Sequence, residues 1–522
     1  MKEFNYGNDF LTIGMAIDLA SGKTKGAFIP ATREKIRKSW QSVQNIVNDK
    51  KVVYGINTGF GPLCTTIISK EDTKKLQYNI LRSHSVGVGE PVPLEISQLM
   101  LVTKVHALAQ GYSGISIQVL ERILWHIEKG ITPLVPCQGS LGASGDLAPL
   151  AHLFLPLIGL GQVWYDGNYR NAGAVLQKEG LEALELGAKE GLALINGTQF
   201  IVAFAVKAAQ RLLNCLDVAD IVGAMSLEGI LGSASPFNQE LHKLRPFTGS
   251  LHVAHRLRVL LSESEMVASH VDCNRVQDPY SVRCMPQVHG ASRNAWNHLK
   301  QMVDIELNAV TDNPIILDNK NTISGGNFHG QLLALPLDYC ALAASEVGNI
   351  SDRRTYLLLD GKIEGLPILL MSNTGINSGF MIPQYTSAAL ASENKGLCFP
   401  ASADSIPTSL GQEDHVSMGS ISGRKDNQVI DNLENILAIE LLCAAQAFDF
   451  RKPMRSGKIL DACHSLIRSR IDHAEEDRIF SEDIKITRKS IISEELVNIS
   501  KETARKEQLD LKGPYDEHFR IY

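Results

Sequence analysis

Apolar and polar residues alternate along most of the chain with the period of an α-helix. Ile36, Trp40, Val43, Ile46 and Val47 recur at i, i+4, i+7, i+10 and i+11 between charged neighbours, which predicts an amphipathic helix with one buried stripe. From Phe200 to Gly232 the sequence is mostly apolar, with only Lys207, Arg211, Asp217, Asp220 and Glu228 charged, the pattern of a helix buried on most sides. Ile430, Leu433, Ile436, Leu437 and Leu441 repeat the helical spacing, with Asp431, Glu434 and Asn435 expected on the outer face. Period-2 alternation is rare, and Lys51-Val-Val-Tyr54 is the best candidate for a short strand. Glycines at 55–61, 87–89, 139–145, 325–326 and 411–423 interrupt these segments and mark loops where chemistry can sit on a helical scaffold.

Two segments need separate treatment. Leu147 to Tyr165 is uncharged and about long enough to span a bilayer, but it holds Pro149, His152, Pro156, Gly159, Gly161 and Gln162 and reads as a buried core segment. Residues 486–522 turn rich in Lys, Arg and Glu. Ile491, Ile492, Leu496 and Val497 predict one amphipathic helix in an otherwise solvated, charged C-terminal tail.

Composition narrows the function. Over 522 residues the net charge is −6, which lacks the basic surplus of a nucleic-acid binder. Nine cysteines without a C-x-x-C pair fit neither a zinc site nor a disulfide framework, and no basic-then-apolar leader opens the chain. The expectation is a soluble cytoplasmic protein with no resident metal and no membrane or nucleic-acid partner. A phosphate loop, a complete G-x-G-x-x-G and H-E-x-x-H are all missing, and Gly142-Ala-Ser144-Gly145 falls one residue short of a serine-hydrolase elbow.

The most informative stretch is Gly139-Ser-Leu-Gly-Ala-Ser-Gly-Asp-Leu-Ala-Pro149. Locally it reads as a turn into a helix, with Asp146 as N-cap and Pro149 in the first turn. A second reading rests on three adjacent small residues. The unhindered nitrogen of Gly145 can attack the carbonyl of Ala143. Loss of water, followed by dehydration of Ser144, gives 4-methylidene-imidazol-5-one, an electrophile that no ordinary side chain supplies.

That stretch resembles the cofactor-forming loop of the aromatic amino acid ammonia-lyases. Further blocks resemble the family in the same order: Tyr54-Gly-Ile-Asn-Thr-Gly-Phe-Gly61, Ser83-His-Ser-Val-Gly-Val-Gly-Glu-Pro91, Gly191-Leu-Ala-Leu-Ile-Asn-Gly-Thr198, Gln277-Asp-Pro-Tyr-Ser-Val-Arg-Cys284, Asp312-Asn-Pro314 and Gly326-Asn-Phe-His329. The resemblance implies an all-α fold, a long central helical bundle with a smaller N-terminal head, assembled as a homotetramer. It implies one lyase unit over residues 8–485, with a head at about 8–110, a bundle at about 111–485, and the charged tail at 486–522.

It also implies roles. Ala143, Ser144 and Gly145 form the cofactor, with Asn313 and Asp146 in support. Tyr54 and Tyr280 handle protons, Arg283 pairs with the substrate carboxylate, and Asn196 and Gln277 orient the reacting groups. His84 and Phe328 face the substrate ring. Taken singly, Tyr54 and Phe328 read as core aromatics, Arg283 as a structural ion pair and Asn196 as a helix cap; their places inside the blocks reverse this. Gly411-Gln-Glu-Asp-His-Val-Ser-Met418 resembles the family's histidine-using members, in which Glu413 can accept a charge-assisted hydrogen bond from an imidazole N–H. Members acting on phenylalanine or tyrosine place glutamine there, since a phenyl ring would leave that charge unpaired. The implied reaction is deamination of L-histidine to trans-urocanate and ammonia, the first step of histidine breakdown. Arg82-Ser83-His84 also occurs in tyrosine-using members, so a tyrosine or phenylalanine lyase, an aminomutase, and a non-catalytic helical assembly stand as alternatives.

Overall fold

The computed structural model describes residues 3–49, 53, 55–56, 58, 68, 70–269, 276–318 and 321–522. The candidate Tyr54 and, apart from Val53, the strand expected at Lys51-Val-Val-Tyr54 lie outside them. The fold is all-α, built on four long helices: Gln199–Gly229, Met285–Leu307, Gln331–Leu359 and Gly419–Asp449. The 331–359 and 419–449 helices pack along one another most extensively, and the 199–229 helix lies against both. Ala, Leu and Val dominate the 199–229 helix, which is buried on nearly every side, as its sparse charge predicts.

Its two aspartates, Asp217 and Asp220, are paired inside the bundle. Asp220 accepts from Arg256 Nε at 2.8 Å and from Arg293 at 2.6 Å, with His289 Nδ1 at 2.9 Å. Burial opposes ionisation of Asp220, but Arg293, His289 and Arg256 outweigh it and hold the carboxyl well below the usual range. Arg354 and Glu440 form a second buried pair at 2.5 Å. Removing one member of such a pair costs about 3–5 kcal/mol, because the other charge is left uncompensated.

In the N-terminal part, the helix Pro30–Asn48 buries Ile36, Val43 and Ile46, the stripe its spacing predicts. Helices Lys70–His84 and Leu94–Ala109 lead towards the bundle. Strand Val88–Pro91 pairs antiparallel with Pro136–Gln138, which brings Ser83-His84 beside the 139–146 turn. The segment 147–165 is a short helix, Leu147–Phe154, a 3-10 turn, Leu155–Ile158, and a strand, Gln162–Tyr165. Among the described residues no helix is long and apolar enough to cross a membrane.

The structure corrects four expectations. Glu434 does not face outward: it is 2% exposed and accepts from Arg211 at 2.9 Å and Arg488 at 2.8 Å. Two cations make that burial tolerable, a pairing that a helical wheel of one segment cannot show. The glycines at 411–423 do not all lie in a loop, since the last long helix already begins at Gly419. The end of the chain forms two helices, Phe480–Ile492 and Glu495–Lys506, broken where Glu494 takes a left-handed φ of 60°. Nor is this segment a solvated appendage. Leu496, Val497, Leu511 and Phe519 are buried against the bundle, and Gly14 N donates to Ile521 O at 2.7 Å.

Candidate active site

The 139–146 turn is shaped by glycine at two points. Gly142 has φ +65°, and Gly145 has φ +72° with its α-carbon pressed against the Gly197 carbonyl. A Cβ at Gly145 would stand 2.2 Å from that oxygen, so no larger residue fits. The turn is fastened on its other side to the start of the 419–449 helix. Met418 N donates to Leu141 O at 2.9 Å, and Ser420 Oγ donates to Ser140 O at 2.6 Å.

Asp146 occupies the N-cap position of the helix Leu147–Phe154 but makes no side-chain bond to it. Its carboxylate instead accepts from Phe200 N and Ile201 N, both at 3.0 Å, in the first turn of the 199–229 helix, and from Ser140 Oγ at 2.9 Å. The cap expected within its own helix is thus spent on another, where orphan N–H groups and the helix dipole favour a carboxylate. Burial pushes the carboxyl up to about 7 against these hydrogen bonds.

The flanking residues converge on Ser144. Asn196 ends the helix Glu190–Ile195, and its Nδ2 donates to Ser144 O at 2.7 Å. The Oδ1 of Asn196 is buried and has no hydrogen-bond partner among the described residues. Ser144 Oγ donates to Glu413 Oε1 at 2.5 Å. The other oxygen of Glu413 accepts from Thr408 Oγ1 and Ser409 Oγ, each at 3.0 Å. Ser409 and Leu410 are left-handed, at φ 50° and 56°, and this turn swings both hydroxyls back onto the carboxylate.

His84, Ala143, Gly145 and Glu413 line one cavity of about 270 Å³. Burial lowers the His84 pKa, against a weaker opposing pull from Glu413, which favours the neutral imidazole. The cavity therefore sets an imidazole and a carboxyl side chain beside Ala143 and Gly145, the two neighbours of Ser144.

The structure brings His84, Ala143, Ser144, Gly145, Asp146, Asn196 and Glu413 together. It leaves Gln277, Tyr280, Arg283, Asn313 and Phe328 outside that cavity. Tyr280 is 71% exposed, with the Arg283 guanidinium 4.7 Å over its ring, and Gln277 is exposed. Asn313 is buried and ties down a loop, donating to Ser324 Oγ and accepting from Gly325 N. Phe328 is half-buried; the adjacent His329 stacks on His415 at 5.5 Å, so its loop abuts the one carrying Glu413. Thr408, Ser409 and Ser140 went unnoticed in the sequence, where hydroxyl residues in loops carry no mark.

Residues 11–469 match the aromatic amino acid lyase family. The chain belongs to that family. By membership it is a carbon–nitrogen lyase with the all-α lyase fold. Over 94% of its length it is 44% identical to a histidine ammonia-lyase of Myxococcus xanthus, covering 96% of that protein. The crystal structure of histidine ammonia-lyase from Trypanosoma cruzi superposes with a TM-score of 0.90 at 40% identity, covering 100% of this chain and 98% of that one. A tyrosine aminomutase from Streptomyces globisporus gives a TM-score of 0.91 at 32% identity, over 96% and 99% of the two chains. Among the described residues no group of three or more His, Cys, Asp or Glu could hold a metal ion.

Proposed function

We propose that the protein is a histidine ammonia-lyase, converting L-histidine to trans-urocanate and ammonia without oxidation, as the first step of histidine degradation. The observation that carries this reading is Glu413, held by Thr408 and Ser409 so that its remaining oxygen points at Ser144 in the cavity shared with His84. A carboxylate so placed suits a substrate ring that carries an N–H. Set against phenyl, its Oε1 would face a ring with no donor to offer it.

The proposed cofactor is 4-methylidene-imidazol-5-one made from Ala143, Ser144 and Gly145, and the residues present fit it. Gly145 is cradled where a Cβ cannot go, so the residue whose nitrogen would close on the Ala143 carbonyl has to be glycine. Ser144 O, the carbonyl that stays on the ring, receives Asn196 Nδ2, and Asn196 Oδ1, unpartnered among the described residues, leaves room for one more donor. Glu413 accepts from the Ser144 hydroxyl that dehydration removes, after which its oxygen is free for the substrate. When present, the group supplies an electrophile that turns the amine into a better leaving group. Asn196 holds the oxygen on which negative charge gathers. Asp146 fixes the turn to the 199–229 helix, and Asn313 supports the neighbouring loop.

Tyr54 and Tyr280 are proposed to move the β-proton, Arg283 to bind the α-carboxylate with its planar fork, Gln277 to orient it, and Phe328 to pack under the ring. The exposure of Tyr280 supports their acting on a site completed by another copy in a homotetramer. Leu332, Leu335, Tyr339 and Leu342 form an exposed apolar stripe on the 331–359 helix, which also supports assembly. The proposed organisation is one lyase unit over 8–485, in the cytoplasm, with the 486–522 segment packed onto it. Arg82 before Ser83-His84 favours a second reading, a tyrosine or phenylalanine lyase or aminomutase. Initial rates on the three amino acids decide between them. Dominant turnover of tyrosine or phenylalanine overturns the histidine assignment.

A further inference from the structure

Lys104, in the middle of the helix Leu94–Ala109, is 1% exposed. Among the described residues its ammonium has two hydrogen-bond acceptors: Asn196 O at 2.6 Å and Gln199 Oε1 at 3.4 Å. No described carboxylate pairs with it directly. Asp312, the strongest source of compensating charge, is already paired with Lys189 at 2.7 Å, and Asp146 is committed to the 199–229 helix. Burial pushes the ammonium down to about 7, so keeping a proton here is costly.

The two residues that the acceptor peptide joins, Asn196 and Gly197, both contact the cofactor turn. The side chain of Asn196 donates to Ser144 O, while Gly197 O accepts from Asp146 N at 2.7 Å and lies against Gly145. Three contacts thus meet at residues 196–197: one to Ser144, one to Asp146, and the lysine behind. The lysine packs closely enough that a Cβ on Gly197 would come within 3.2 Å of Nζ. Gln199, its second acceptor, is itself held by a hydrogen bond from its Nε2 to Thr311 Oγ1 at 2.9 Å. The ammonium is therefore anchored on a rigid wall.

We propose that Lys104 is a positioning residue for the reaction: its ammonium fixes and polarises the Asn196–Gly197 peptide, so that Asn196 Nδ2 stays aimed at the Ser144 carbonyl oxygen. This rests on the ammonia-lyase reading above. Lys104 touches neither the substrate nor the reacting atoms; it acts through Asn196. A donor that must meet charge as it develops contributes only if its direction is set beforehand, and about 1 Å of misplacement can cost about 10²-fold.

The test compares full-length wild type with Lys104→Met, Lys104→Gln and Lys104→Arg. Methionine removes charge and donor, glutamine keeps an N–H donor without charge, and arginine keeps both. Intact mass gives the fraction of chains that have lost two waters, and rates on histidine are expressed per such chain. The expected result is a kcat lowered by about 10- to 100-fold in Lys104→Met with KM within about threefold. Lys104→Gln falls between, and Lys104→Arg recovers most of the loss. Should the methionine variant fail to fold, the glutamine and arginine pair carries the same comparison. Wild-type kcat in Lys104→Met or Lys104→Gln, or an equal loss in all three variants, overturns the proposal. A wild-type chain that neither loses two waters nor turns over histidine overturns the underlying reading instead.

Discussion

Ser144 Oγ and Glu413 Oε1 are 2.5 Å apart although 269 positions separate them in the chain. On the proposed reading, that carboxyl group meets first the departing hydroxyl and then the incoming imidazole. Glu413→Gln is expected to lower kcat/KM for histidine by about 10- to 100-fold, the size of a lost charge-assisted hydrogen bond. The variant should still weigh two waters less than its translated sequence. Steady-state rates together with intact mass check both halves, and unchanged histidine turnover removes the role given to Glu413.

Ser144→Ala keeps the turn and its glycines but has no hydroxyl to lose. The second loss of water should vanish, and kcat should drop by more than about 10³-fold. Mass spectrometry of the folded variant reads this directly. Full activity there would mean that no methylidene group is involved.

Asn196→Ala removes the donor to Ser144 O. A drop in kcat of about 10²- to 10³-fold is expected, with KM much less affected. A loss confined to KM would assign Asn196 to substrate binding instead.

Asp146 gives a pH dependence with a definite sign. Burial raises its folded value to about 7, above an unfolded value of about 3.9, so the native state binds the extra proton between those limits. Its contribution to stability is full below about pH 4 and is lost as pH rises through about 7. In Asp146→Asn the amide oxygen can still accept from Phe200 and Ile201 without titrating. Urea midpoints measured from pH 4 to pH 8 should show the stability of wild type relative to this variant falling as pH increases. A parallel pair of curves contradicts the assignment.

Phe519 tests the end of the chain. It is buried, with the His252 ring at 4.7 Å and the Arg293 guanidinium 5.6 Å over its face. Phe519→Ala should cost about 3–5 kcal/mol of stability. Thermal denaturation measures it, and a change below about 1 kcal/mol would restore the picture of a loose tail.

The sequence carries the bundle well because burial on all sides leaves a plain mark: few charges in a long apolar run, as at 200–232. It fails where a charge is buried with partners from elsewhere. Glu434 looks solvent-facing until Arg211 and Arg488 arrive from other helices. The break at Glu494 is equally hidden, since a left-handed residue there is not glycine. At the site, the Ala-Ser-Gly triad is local and legible, and its partners are recognised by the blocks they sit in. The hydroxyls of Thr408 and Ser409 depend on a backbone turn that side-chain identity does not encode. Asp146 shows a subtler limit: its capping role was readable, but the helix it caps begins more than fifty residues further on.

The clamp formed by Gly197 and residue 413 around the Ala-Ser-Gly turn also bears on cellular safety. On the proposed reading, a nascent chain still on the ribosome has not yet made the 413–420 segment, whose Met418 and Ser420 fasten the turn, so the compressed loop is not held for cyclisation. Misfolded or truncated products would stay chemically inert towards thiols and amines around them, and the reactive warhead would arise only in copies that have already passed the test of folding.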